Sequence, residues 1–229
     1  QEDAHCIAIT SYQGGAVEMF THTKQILDEA DFSHVCLVGG GGGTILPSEI
    51  QHLLDSNIAK IYSPEDGREL GLTGMVSDAM NRASKNNLLD PVRFENLKEP
   101  ISADNHGSVS KLLTLAENAD EEMFNKVLNK VRSTDGSACP VVGLTGTGGA
   151  GKSSLTDELM LRIQRDNPGT KIALLATDPT RKRTGGALLG DRIRMNSLSD
   201  ENLFMRSFAS RDSGREIADC IGRSIEACK

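Results

Sequence analysis

No apolar run in the chain approaches the roughly 18 residues that a bilayer-crossing helix needs, so the sequence holds no membrane span. No basic, then apolar, segment opens it either. The first residues, Gln1-Glu2-Asp3, are acidic where a secretory signal would be positive. Positive charge is scarce overall. The formal net charge is −7, which argues against a general nucleic-acid binder, since that needs a basic face to displace counterions. Arg181-Lys182-Arg183 is the one visible basic run. No Cys-x-x-Cys pair occurs among the five cysteines, Cys6, Cys36, Cys139, Cys220 and Cys228, and three of them lie in apolar strand-like runs. Buried free thiols in a reducing cytoplasm are the expectation, with metal binding by cysteine as the alternative. No methionine starts the chain, and it closes inside a helical pattern, so an internal piece of a longer protein is expected.

What the chain does hold is enough apolar sequence for a core. Of 229 residues, 38% are hydrophobic and 25% charged, which suits one large soluble domain or two small ones. The first stretch alternates short apolar runs with helical spacing. Cys6–Thr10, Val35–Val38 and Ala59–Tyr62 read as buried parallel strands. Helices are predicted from Ala16 to Ala30, from Pro47, and from after Ser63 to about Ala83. Periodicity fades from Asn86 to Gly107. Phe124, Val127, Leu128 and Val131 then mark one apolar helical face. A second strand–helix series follows: strand Val141–Thr145, helix Lys152–Arg165, strand Lys171–Thr177, strand Leu203–Phe208 and helix Gly214–Ala227. Polar residues from Asp178 to Gly190 read as a long functional loop. The predicted class is α/β, with two parallel-sheet domains, 1–86 and 139–229, joined by a helical linker, 87–138.

The second series carries the clearest chemistry. Gly146-Thr147-Gly148-Gly149-Ala150-Gly151-Lys152-Ser153 matches G-x-x-x-x-G-K-[ST] in full. Glycines let backbone amides close around phosphate oxygens, and the helix starting near Lys152 aims its positive end at them. Lys152 neutralises phosphate charge, and the Ser153 hydroxyl is a magnesium ligand. Gly148, Gly149, Ala150, Gly151, Lys152, Ser153 and Ser154 are thus the expected nucleotide-binding residues. Asp178 ends the next apolar strand, where a carboxylate can hold magnesium directly or through water; an Asp–Pro turn starter is the structural alternative. Asp191 and Arg194 follow a glycine-bearing loop. By spacing alone they are either a clamp on the γ-phosphate or a surface i, i+3 ion pair.

This half resembles the metallochaperone GTPases that serve cobalamin-dependent acyl-CoA mutases. The resemblance rests on Gly-Thr-Gly-Gly-Ala-Gly-Lys-Ser-Ser (146–154), Asp-Pro-Thr (178–180) and Gly-Gly-Ala-Leu-Leu-Gly-Asp-Arg-Ile-Arg-Met (185–195). It implies that the last segment is a switch, that Asp178 and Asp191 ligate magnesium, and that Arg194 contacts the nucleotide. GTP as the nucleotide rests on the resemblance alone, because the family's Asn-Lys-x-Asp guanine-reading motif is not in this sequence.

The first half carries a five-glycine run, Gly39, Gly40, Gly41, Gly42 and Gly43, between a strand and a helix. With Ser11-Tyr12-Gln13-Gly14-Gly15 and Ser63-Pro64-Glu65-Asp66-Gly67, it forms three loops at strand carboxyl ends, which in an open parallel sheet share one ligand-lining edge. A flavodoxin-like ligand site is the reading; a receiver-type or purely structural domain is the alternative. Ser-Tyr-Gln-Gly-Gly (11–15) and Gly-Gly-Gly-Gly-Gly-Thr-Ile-Leu-Pro (39–47) resemble the adenosylcobalamin-binding domain of acyl-CoA mutases, most nearly the fused isobutyryl-CoA mutases. The resemblance assigns Ser11, Gly14, Gly39–Gly43, Thr44 and Ser63 to the cofactor cleft. The Asp-x-His-x-x-Gly motif of the lower cobalt ligand is not found, and His5, His22 and His34 lack its context.

The resulting expectation is part of an adenosylcobalamin-dependent mutase interconverting isobutyryl-CoA and butyryl-CoA, with a GTPase that gates cofactor loading. Mutase catalysis and acyl-CoA binding are expected to need a barrel that this sequence does not hold. A homodimer in the cytoplasm, binding neither nucleic acid nor membrane, completes the expectation. The alternatives are a P-loop NTPase joined to a flavodoxin-like sensor, or a mutase for a related branched acyl-CoA.

Overall fold

The computed structural model describes residues 2–30, 32–85, 87, 89–90, 94, 101–132, 139–178, 192, 194–209 and 220–229, with only the backbone of Asp178. They form two compact units, Ala4–Leu88, and Leu89–Lys229 together with Gln1–Asp3. No helix among the described residues is long and apolar enough to cross a membrane.

In the unit Ala4–Leu88, strands β1 (Cys6–Thr10), β2 (Cys36–Gly40) and β3 (Lys60–Tyr62) lie parallel in that order. Helices α1 (Ala16–Glu29), α2 (Pro47–Asp55) and α3 (Pro64–Ala83) alternate with them. A parallel strand covered on both faces reads as an unbroken apolar run, which fits β2, whereas β1 leaves Ala8 and Thr10 exposed. β2 is the middle strand and is buried from Cys36 through Gly39. Phe20, Leu37, Leu53 and Ile61, each at most 1% exposed, form the core. Each helix start has a local cause. Pro47 opens α2, and the Glu49 carboxylate accepts the Leu46 N–H at 2.7 Å. Ser63 Oγ accepts the Asp66 N–H at 3.2 Å, while the Asp66 carboxylate accepts the Ser63 N–H at 2.7 Å, a reciprocal cap for α3. Tyr62 and Arg82 both donate to the Asp78 carboxylate, at 2.9 and 2.8 Å, and tie α3 to β3.

The second unit has two parallel strands, β4 (Ile172–Asp178) and β5 (Leu203–Ala209), with Ile172 opposite Leu203 and Asp178 opposite Ala209. Its helices are α4 (His106–Asn118), α5 (Glu121–Val131), α6 (Lys152–Asp166) and α7 (Ile221–Cys228). α4 serves two clusters. Leu113 packs with Phe204, Phe208 and Cys220, whereas Leu112, Leu115 and Ala116 pack with Phe124, Leu128 and Val131 of α5. The stretch read as a linker therefore contributes two helices to this unit's core. The apolar face expected on α5 is the one that is buried.

Two expectations fail here. Val141–Thr145 forms no strand, and Val141, Val142 and Leu144 are 55%, 80% and 45% exposed. An apolar run states a preference for burial but not a partner; no described segment pairs with this one, so its amides join no ladder. Cys139, at the head of the same run, is exposed for the same reason, whereas Cys36 and Cys220 are buried and all five cysteines are free thiols. The loop at 179–190 and the helical positions 214–219 lie outside the described residues.

Candidate functional site

The phosphate-loop segment is built as the motif requires. Gly149 (φ 80°) and Gly151 (φ 85°) take the left-handed conformation, which a side chain disfavours by roughly 1–2 kcal/mol. A turn closes where the Ala150 N–H donates to Thr147 O at 3.2 Å, and α6 begins directly after Gly151. A Cβ added at Gly148, Gly149 or Gly151 would meet no protein atom within 4 Å, so packing does not demand glycine there. Backbone conformation explains two of the three, and close approach of a ligand fits all of them. The Lys152 ammonium folds back to donate to Gly146 O at 2.5 Å and Thr147 O at 2.9 Å. Neutral carbonyls are weaker acceptors than anionic phosphate oxygens, so this ammonium is ready to exchange partners. Ser153 is half-buried in the first turn, and Ala150 and Ser154 are exposed. The segment thus fits a polyphosphate. No group of three or more His, Cys, Asp or Glu among the described residues forms a metal site on its own.

The other expected nucleotide residues are placed unevenly. Asp178 ends β4 as predicted, at the carboxyl edge of the sheet. Asp191 lies outside the described residues. Arg194 is exposed and helical. Two residues beyond Arg194 stands a contact that the sequence reading missed. The carboxylate of Asp157, on α6, accepts the Ser197 N–H at 2.9 Å, the Asn196 N–H at 3.1 Å and the Asn196 side-chain amide at 3.3 Å. Burial alone would raise its pKa, but these donors hold it below the usual carboxylate value. Its available signal was its position, four residues after Ser153 and so on the same helical face.

A second missed network lies in the same unit. Arg206 of β5 is buried, with its guanidinium 3.1 Å from Glu117 and 3.6 Å from Glu2. Glu2 also accepts from Arg192 at 2.7 Å, and Arg192 donates to Met205 O at 3.1 Å. Nothing local to Glu2, Glu117 or Arg206 in the sequence announces these pairings; Glu2 and Arg206 stand 204 positions apart (206 − 2).

In the unit Ala4–Leu88, the loops after β1, β2 and β3 leave one edge of the parallel sheet, as expected. Their polar groups first shape the loops themselves. Ser11 Oγ accepts the Gln13 N–H at 3.5 Å, Thr44 Oγ1 donates to Gly41 O at 2.7 Å, and Ser63 caps α3. The glycines divide by role. At Gly39 a Cβ would fall 2.3 Å from Ile9 O and 2.3 Å from the Phe20 ring, at Gly41 2.8 Å from Ser11 O, and at Gly42 2.6 Å from the Tyr12 ring. Gly40 is tight against Tyr62 O at 3.0 Å, whereas a Cβ at Gly14 meets nothing within 4 Å and at Gly43 only Pro64, at 3.4 Å. The protein's own packing therefore requires Gly39 and Gly41, whereas at Gly42 the Tyr12 ring is exposed and the positive φ of 56° is what favours glycine. At Gly14 and Gly43 packing makes no such demand, although the positive φ of Gly43 (94°) itself favours glycine.

Comparison with known proteins matches residues 109–226, just over half of the chain, to the family described as methylmalonyl-CoA mutase-associated GTPase MeaB. The whole chain aligns with a fused isobutyryl-CoA mutase from Cupriavidus metallidurans at 44% identity over 233 residues, covering 21% of that protein. It aligns with a fused isobutyryl-CoA mutase from Geobacillus kaustophilus at 43% over 236 residues, again all of this chain and 21% of the relative. GTPase ArgK of Escherichia coli is 43% identical over 70 residues, 30% of this chain and 20% of that one. The chain spans about a fifth of the length of the fused mutases it matches. With a phosphate loop built as its motif requires and a family match across the unit that holds it, the chain belongs to the MeaB family of mutase-associated GTPases.

Proposed function

We propose that the unit carrying residues 146–154 binds and hydrolyses GTP with magnesium, and that it serves an adenosylcobalamin-dependent mutase interconverting isobutyryl-CoA and butyryl-CoA. The observation that carries the reading is the loop itself: left-handed Gly149 and Gly151 lead straight into α6, with the Lys152 ammonium held over the loop by neutral carbonyls. In this reading Lys152 moves from those carbonyls to phosphate oxygens, and the amides of 148–154 complete the cradle. Ser153, Asp178 and Asp191 hold magnesium, and Arg194 contacts the nucleotide. GTP turnover gates cofactor loading, which gives the GTPase a chaperone role.

The loops at Ser11, Gly14, Gly39–Gly43, Thr44 and Ser63 form part of the cobalamin cleft of a flavodoxin-like domain, with Gly14 and Gly43 nearest the cofactor. Adenosylcobalamin, when bound, supplies a radical by cobalt–carbon homolysis. Acyl-CoA binds elsewhere in a homodimeric, cytoplasmic protein. Expressed full-length, the protein should hydrolyse GTP in a magnesium-dependent way and convert isobutyryl-CoA only with adenosylcobalamin present. GTP turnover without any mutase activity or cobalamin binding would remove the mutase half of the reading.

One observation favours a second reading of the first unit. Gly39 and Gly41 are needed by packing, and Gly42 by its positive φ, whether or not a ligand binds, as in a sensor domain of flavodoxin-like form joined to a P-loop NTPase. A spectroscopic titration with adenosylcobalamin separates the two, since a sensor of this kind leaves the cofactor's spectrum unchanged.

A further inference from the structure

Asp157 is out of character for its helix. On α6, Leu155, Leu159, Leu161 and Ile163 are exposed, while Asp157 and Met160 are the buried residues. Burying a carboxylate is costly unless donors replace its water. Among the described residues its donors are Asn196 and Ser197, 39 and 40 residues away. Two of them are backbone amides that open the 3-10 turn Ser197–Ser199, groups that need an acceptor at any such start.

A local acceptor was available. Asn196 itself occupies the capping position of that turn and is a favoured capping residue, yet its side chain makes no capping bond. Its amide turns to Asp157 instead. A turn that only needed capping would not require a carboxylate from another helix. The long-range bond does something a local cap does not: it fastens this segment to α6. The place of attachment matters. Asp157 lies one helical turn beyond Ser153 on the same face, and Asn196 lies two residues after Arg194.

We propose that Asp157 is a positioning residue for nucleotide hydrolysis, which anchors the segment carrying Arg194 to the helix that begins in the phosphate loop. This rests on the reading that the loop binds GTP. The loop alone holds the phosphates of a diphosphate, so GDP affinity depends little on the anchor. The Arg194 segment is needed where charge develops during hydrolysis, so turnover depends on it strongly.

The experiment compares full-length wild type with Asp157→Ala and Asp157→Asn, measuring kcat and KM for GTP and Kd for GDP. Asp157→Ala should lower kcat by about 10-fold or more and change GDP affinity by less than about 3-fold. Asp157→Asn, which keeps one acceptor oxygen, should recover part of the lost kcat. If Asp157→Ala fails to fold, Asn196→Ala removes only the side-chain bond and should lower kcat about 2–5-fold with GDP binding unchanged. Unchanged kcat with a lowered melting temperature, or equal losses in GDP binding and turnover, would overturn the proposal and leave Asp157 as a fold anchor only. A wild type that neither binds nor hydrolyses GTP defeats the underlying reading instead, a result these variants do not mimic.

Discussion

Replacing Gly39 by alanine should unfold the first unit well below its wild-type temperature. Gly39 is the fourth residue of the middle strand, paired with Ile9 on one side and Ile61 on the other. The added methyl would sit 2.3 Å from Ile9 O and 2.3 Å from Phe20 Cζ, against more than 3 Å for an ordinary contact. Neither neighbour yields easily. The oxygen belongs to the adjacent strand's backbone, and Phe20 is 0% exposed in the core. Overpacking usually costs about 1–3 kcal/mol, and two immovable contacts put this case near the top, about 3 kcal/mol. For a unit of about 85 residues each kcal/mol is worth about 4–8 °C, so the melting temperature should fall by more than about 10 °C. Gly14→Ala is the control, because its Cβ meets nothing within 4 Å. Differential scanning calorimetry without cofactor reads both. A Gly39→Ala melting temperature within about 2 °C of wild type would refute the packing argument.

Three further outcomes follow from the same geometry. Hydrogen bonds from Arg82 and then Tyr62 hold the Asp78 carboxyl below its ordinary value. A depressed carboxyl contributes stability above its unfolded pKa, near 3.9, and loses it as pH falls through the folded value; urea midpoints of Asp78→Asn should therefore converge with wild type at low pH. Truncating Glu117 to alanine leaves the buried Arg206 with a weaker set of partners and should cost about 3 kcal/mol in chemical denaturation. Iodoacetamide should label Cys139, which is exposed, well before Cys36 and Cys220, which are buried, as followed by mass spectrometry.

The elements that were legible in sequence are those whose cause is local. The strand Cys6–Thr10 follows from an apolar run and is found at those bounds, and the helix Pro47–Asp55 begins at the proline that announces it. The phosphate loop was legible because its chemistry is contiguous: eight neighbouring residues carry conformation, charge and hydroxyl together. Val141–Thr145 was misread because a strand exists only through its partner, which an apolar run does not name. Asp157 and Arg206 were not legible for the same reason at longer range. Each looks like an ordinary surface charge until folding brings Asn196, Ser197, Glu117 or Glu2 against it. The glycine run lay between these cases. It was predicted to follow the strand as a loop, but Gly39 and Gly40 belong to β2, and the need for Gly39 comes from packing against Ile9 and Phe20 rather than from a ligand.

Calorimetric titration of the full-length protein and its Lys152→Ala variant with GTP and magnesium tests the central claim most directly. Charge-assisted hydrogen bonds from one ammonium are worth about 1.5–3 kcal/mol each, so the variant should lose about 100-fold or more in affinity while wild type binds GTP measurably. Equal affinity in the two proteins, or no GTP binding by wild type, would contradict the account.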